Sequence, residues 1–534
     1  MVKPMEFFTQ FKRWIWNWCT WPAPALPQMS LGPGSEGSNP LMVQFFTWDS
    51  EYPDMTWWQH FQAEVPKLQE LGVTQVWLPP PNKAMNSKYG RGYDAYDLWD
   101  LGEFNQKGSI STRWGTKDEL LSAIETARTH GIDVLIDAVL NHKMGADRRE
   151  RFTAVPVDST NRLKDIGPPR PIEAWTVFDF SGRGDKYSSM KWTHSHFTGI
   201  DWDHLTRSSA VFRIPTAQRK GWSHLVDTEL GNYDYLMGAD IDHNHPEVQR
   251  DLMEWGAWVL DTTGAAGFRL DAIKHIDRAF LLQFLLEMKQ RPGRESMFAV
   301  AEYWSPNVNL LLPYIKAFQG QASLRINLRP TILVAFFDVP LHDNFHHTSR
   351  LGASYDLRTI FDNTVLQYRP GDAVTFVDNH DTEIGQSLES WVYDSFKLQA
   401  YALILLRPGG YPCVFYGDLY ASSHIASKLR LLMLARKQHA YGTCIDYFTF
   451  RNCIGWVRGG DRRHPGCAVV ISNAETHGSM PGLRMNVGLH NAGSTFKSYF
   501  GSSNRDSQLV PIDADGWGLF PCPKDVGVWM RSCD

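Results

Sequence analysis

The chain has 534 residues, 43% hydrophobic and 21% charged, with 53 basic against 58 acidic side chains. That balance supports a sizeable core and excludes a largely disordered chain. The charges are spread without long basic runs, and no stretch reaches the ~18 apolar residues that span a bilayer, so neither a nucleic acid nor a membrane is expected as partner. Aromatic residues stand out at 13%, 21 of them Trp. Composition does not decide whether these rings fill a core or stack on sugars, bases or cations.

In chain order, Lys12 and Arg13 precede WIWNWCTWPAPA. This run is short, Trp-based and broken by Asn17 and Pro22, unlike the aliphatic heart of a signal peptide. Residues 22–39 are rich in Pro, Gly and Ser and read as a linker, so 1–39 form an extension ahead of the folded part. Apolar, β-branched runs follow at Leu41–Phe46, Val73–Leu78, Ile132–Val139, Gly267–Leu270, Met297–Ala301, Val334–Val339, Val374–Val377 and Tyr411–Tyr416. Between them lie helical patterns such as Trp57–Leu71, Lys117–His130, Pro246–Leu260, Asp277–Lys289 and Phe396–Leu406. Near-continuous apolar strands alternating with helices indicate a parallel sheet covered on both faces, and eight such units predict a (β/α)8 TIM barrel.

Two regions depart from this rhythm. Residues 142–243 show little helical periodicity, and a loop of about a hundred residues is not expected inside a compact domain. They are predicted to be a domain inserted after the third strand, dividing the barrel into 40–141 and 244–436. After Lys437 short strands and turns (CIDYFTFRNCIGWVRGG, CAVVISNAE) predict a C-terminal antiparallel β-sandwich over 437–534.

Barrels of this kind carry their chemistry at the C-terminal ends of the strands. Those ends read DAVLNHKMGAD after strand three, GFRLDAIKHID at strand four, AVAEYW at strand five and TFVDNHDTEIGQS at strand seven. Asp271, Glu302 and Asp381 would therefore meet at one mouth. Like charges so close raise one another's pKa, which calls for a chemical reason. Retaining glycoside cleavage supplies one: a carboxylate nucleophile, a carboxyl that donates a proton to the leaving oxygen, and a third acid to steady the cationic sugar. Arg269, two residues before Asp271 on the same strand face, is expected to keep Asp271 ionised. His142 and His380 are placed to bond sugar hydroxyls.

The four segments DAVLNH, GFRLDAIKH, AEYW and FVDNHD, in this order, resemble the α-amylase family of glycoside hydrolases. Within it the chain is most similar to the liquefying bacterial-type enzymes and their fungal intracellular relatives. The resemblance runs from about Pro40 to Gly417. It implies Asp271 as nucleophile, Glu302 as general acid/base and Asp381 as transition-state stabiliser. His142, Arg269 and His380 match residues around the reacting sugar, Tyr93 in GYDAYDLWDLGEF matches the platform beneath it, and Lys274 and His275 match the leaving-group side. Trp304 is a further sugar-contact candidate from its place beside Glu302. The implied activity is endo-hydrolysis of α-1,4 bonds in starch, glycogen or maltooligosaccharides.

The resemblance also implies calcium between inserted domain and barrel, held by Asn141, Asp234 and Asp240 and by the backbone carbonyl of His275. Ser223 and Asn244 stand where relatives carry aspartates serving a second metal, although Asp201 and Asp242 remain.

Simpler roles compete with each of these. An Asp at a strand end is usually a turn or helix cap, a lone His an ordinary hydrogen-bonding residue, and Trp57, Trp58, Trp192, Trp202 and Trp222 are expected in cores. Rival functions are an α-glucan transglycosylase on the same fold and a non-catalytic carbohydrate-binding protein. Seven widely spaced cysteines without a CxxC pair argue against a zinc knuckle and fit a reducing compartment, although four between Cys444 and Cys522 leave a disulfide open. With the intracellular relatives, this makes a cytoplasmic monomer the expectation and secretion the alternative.

Overall fold

The computed structural model describes residues 39–215, 221–325, 334–421, 424–474, 482–500 and 509–532. The N-terminal extension and linker therefore lie, apart from Asn39, outside the described residues. Eight parallel strands close into a barrel in chain order: β1 Met42–Gln44, β2 Gln75–Trp77, β3 Asp133–Ala138, β4 Gly267–Leu270, β5 Phe298–Ala301, β6 Ala335–Phe337, β7 Ala373–Phe376 and β8 Tyr411–Phe415. Each lies inside one of the apolar runs read from the sequence, except that β7 begins one residue earlier, at Ala373. Apart from Asp133, every residue in them is buried, because side chains on one strand face fill the barrel and those on the other pack under helices. A Cβ at Gly267 would lie 1.7 Å from the Phe298 carbonyl oxygen, so the approach of β4 to β5 requires glycine there.

Local chemistry starts and stops the helices. Capping boxes Thr56/Gln59 and Thr116/Glu119 open Trp57–Glu70 and Lys117–Thr129. Pro246 opens the helix Pro246–Thr263, which outruns its expected end at Leu260 and stops at left-handed Gly264.

The stretch between β3 and β4 builds a sheet of its own. Its strands, in spatial order, are His142–Lys143, Ala239–Ile241, Phe197–Asp203, Ser208–Arg213, Arg148–Pro156 and Arg170–Val177, all paired antiparallel. Beyond the barrel, a six-stranded antiparallel sheet packs against the pair Leu483–Asn486 and Trp517–Phe520 through Val470, Met485, Phe520 and Trp529. A Cys453–Cys522 disulfide staples this unit, while Cys413, Cys444 and Cys467 are free thiols. The disulfide weakens the argument for a reducing compartment from thiol usage.

Of the five tryptophans expected in cores, Trp57, Trp58, Trp192 and Trp222 are buried, but Trp202 is 39% exposed. No helix among the described residues is long and apolar enough to cross a membrane.

Candidate active site

Arg269 is the centre of the barrel mouth. Strand register sets it beside Asp137 of β3, and its side chain is 0% exposed. One guanidinium nitrogen reaches Asp137 Oδ1 at 2.9 Å and also Asp271 Oδ1, while the other pairs with Glu302 Oε2 at 2.8 Å. Asp271 and Glu302 follow the last residues of β4 and β5 directly, which brings them to the same rim. After Asp271 the chain turns sharply through left-handed Ala272, whose amide donates to Glu302 Oε2 at 3.0 Å. An alanine held at φ +47° stores on the order of 1 kcal/mol, the kind of strain that collects at functional sites.

Burial raises the pKa of Asp271, Glu302 and Asp381, and Arg269 opposes the rise in each. Asp381, which the guanidinium does not touch, is raised furthest. The one positive charge of Arg269 is shared by Asp137, Asp271 and Glu302, so at Asp271 it opposes the effect of burial without cancelling it. Glu302 further opposes the rise at Asp271, whereas the Asp271 charge adds to the rise at Glu302.

Rings complete the mouth. Tyr93 stacks on His380 at 5.0 Å and donates its hydroxyl to Asp137 Oδ2 at 2.8 Å. Gln44 Nε2 donates to His380 Nδ1 at 3.0 Å, so the ring proton sits on Nε2, 3.3 Å from Asp381 Oδ2. Burial lowers the His380 pKa and keeps the ring neutral. His142 donates from Nε2 to the Tyr93 carbonyl at 2.9 Å. On the other side, Lys274 reaches Glu229 Oε2 at 3.0 Å and the Trp304 carbonyl at 3.1 Å, with Trp304 half-buried. Asp271, Glu302, Asp381, Tyr93 and His380 are thus all coupled through Arg269 and Asp137, whereas Lys274 and His275 occupy the adjoining wall.

A family model described as the α-amylase catalytic domain matches residues 58–428. The chain belongs to the α-amylase family of glycoside hydrolases. It is 44% identical over 498 residues to an α-amylase of Geobacillus stearothermophilus, covering 92% of this chain and 87% of that relative. To the cytoplasmic α-amylase of Escherichia coli K12 it is 38% identical over 510 residues, covering 92% and 99%. Among solved structures, the α-amylase of Geobacillus thermoleovorans complexed with acarbose superposes with a TM-score of 0.57 at 16% identity, covering 93% and 98% of the two chains; that likeness bears on the fold alone.

In this α-amylase family member, Asn141, Asp234, Asp240 and His275 are all buried where the inserted sheet meets the barrel. Asn141 Oδ1 has no hydrogen-bond partner, and the two aspartates are pushed up by burial, with mutual repulsion adding to the rise at Asp240. An orphaned oxygen beside buried acids fits a hard cation. His275 Nδ1 donates to the Tyr233 carbonyl at 2.7 Å, which fixes its ring. Ser223 and Asn244 act differently: their side chains donate to Asp277 Oδ2 at 2.6 and 3.1 Å, and Asp277 Oδ1 caps the helix Arg278–Gln290. A second cation would meet two donors here. His196, His245 and Glu247 also cluster at metal-ligand spacing. Both rings, however, accept a backbone N–H at Nδ1, so each Nε2 carries its proton and offers no lone pair.

Sequence reasoning missed Gln44, Asp137 and Trp48. Trp48 lies parallel to both Tyr93 and His380 at 5.9 Å. Asp137 stood in the DAVLNH segment as a visible signal; Gln44 and Trp48 had none beyond their place after β1 begins.

Proposed function

We propose that this chain is an α-amylase that cleaves internal α-1,4 bonds of starch, glycogen or maltooligosaccharides with retention, and that its calcium-associated insert spans 142–243 and its C-terminal unit 437–534. The observation that carries this reading is the Arg269 fork, which holds Asp271 and Glu302 on the two terminal nitrogens of one guanidinium. Carboxyls so near leave no room for a water between acid and base, as inversion requires, and suit attack by one of them. Asp271 attacks the anomeric carbon as Glu302 protonates the departing glycosidic oxygen. Glu302, now a carboxylate, takes a proton from the water that releases the sugar. Asp381 lines the face where positive charge develops, His380 directs its Nε2 proton toward Asp381 Oδ2, and Tyr93 stacks beneath the ring.

Proton NMR during hydrolysis of a maltooligosaccharide is expected to show the α-anomer first, and Asp271→Asn to abolish release of reducing ends while the melting curve stays close to wild type. Initial β-anomer, or starch cleavage by Asp271→Asn near the wild-type rate, would overturn the assignment. Products longer than the substrate would instead mark a transglycosylase.

Asn141, Asp234, Asp240 and the His275 carbonyl are the proposed ligands of a structural calcium ion, which when bound neutralises the two acids and ties insert to barrel. Excess chelator is expected to lower Tm, and calcium to restore it. An unchanged melting curve together with no calcium by elemental analysis would remove this site.

A further inference from the structure

Beneath the loop that carries His380 and Asp381 lies a buried ion cluster that the proposed chemistry does not touch. Lys397, on the helix Asp394–Leu406, is 1% exposed. Its ammonium pairs with Asp418 Oδ1 at 2.7 Å and Asp378 Oδ2 at 3.0 Å, over the ring of Trp391. Tyr401, four residues along the same helix, donates its hydroxyl to Asp418 Oδ2 at 2.6 Å.

The cluster reaches the rim through Asp378. Its Oδ1 accepts the Thr382 hydroxyl at 2.9 Å and the Val392 amide at 3.2 Å, closing the two ends of the loop on one carboxylate. Just before Thr382, Asn379 Oδ1 accepts the amides of Asp381 and Thr382 at 2.9 and 3.0 Å, a tight turn that carries Asp381. On the outer side, Glu383 Oε2 accepts the Trp48 amide at 2.9 Å.

Burying three charged groups is costly, and apolar replacements of similar volume are often neutral or stabilising. Stability alone therefore gives no reason for a lysine here, whereas a fixed loop does. We infer that Lys397 is a positioning residue for Asp381: through Asp378 it holds the loop so that the Asp381 carboxyl meets the developing charge. This rests on the proposed role of Asp381.

If so, Lys397→Met lowers kcat on starch by about 10- to 100-fold, the size expected for a displacement near 1 Å, with KM within about 2-fold. Tyr401→Phe, which removes one hydroxyl without changing shape, is expected to lower kcat several-fold with KM unchanged, and serves if Lys397→Met does not fold. Both effects should persist after rates are normalised to the folded fraction. A kcat within 2-fold of wild type in the folded variants, or a loss that tracks the folded fraction or falls on KM, overturns the inference. Asp381→Asn is the separate control. Wild-type activity in that variant would sink the reading of the site itself, whereas an inactive Asp381→Asn beside an unaffected Lys397→Met sinks only the positioning role.

Discussion

Glu302→Gln is expected to lower kcat on starch by about 10²- to 10⁴-fold, the usual worth of a positioned proton donor, and to leave KM nearly unchanged. The amide is isosteric, and its oxygen still accepts the Ala272 amide that holds Glu302 Oε2 at 3.0 Å, so the local turn survives. What is lost is the carboxyl proton, whose retention burial favours. The loss should shrink on an aryl maltooligoside whose acidic phenol departs without protonation. Equal losses on starch and on the activated substrate would show that Glu302 is not the acid, whatever else it does.

The largest effect on stability should come from Arg269→Met. Among the described residues the guanidinium is the one cation in contact with Asp137, Asp271 and Glu302, and it is fully buried. Removing one member of such a cluster strands the others, at about 3–5 kcal/mol. The sign of the pH dependence follows from the direction of the shifts. Burial already raises the pKa of Asp137, Asp271 and Glu302, and without Arg269 each rises further above its unfolded value. A raised folded-state pKa gives stability that is fully present below the unfolded value, near pH 4, and is lost as pH climbs through the folded one. Urea unfolding should therefore show a deficit relative to wild type that is small at pH 5 and larger at pH 8. A deficit of the same size at both values would mean that the lost interaction is packing against Trp77 and Tyr93, over which the guanidinium lies.

Much of the fold is legible in the chain because barrel strands, buried on both faces, are uninterrupted apolar runs. The acids are legible for a related reason. Asp271 and Glu302 come directly after such runs, where the strand ends and the chain reaches the rim. Asp381 sits in the loop that follows β7. The inserted sheet between His142 and Ile241 was visible only as a gap too long for a loop; Arg148–Pro156, Arg170–Val177 and Ser208–Arg213 carry no comparable apolar signature, since one face of each meets solvent.

Other features depend on contacts between residues 54 to 336 positions apart. Gln44 sets the tautomer of His380, and Asn141 lies against Asp240. Cys453 pairs with Cys522, and Ser223 turns to Asp277 rather than toward a metal. None of these has a local pattern, because each partner is an ordinary residue in its own segment.

The sequence by itself determined the order of strands and helices, the place of the insert, and which acids stand at the barrel mouth. Only the tertiary structure decided which carboxyls share the single positive charge and how burial shifts them. Protonation depends on burial and on which carboxyls share Arg269, and those are properties of distances across the barrel, not of neighbours along the chain.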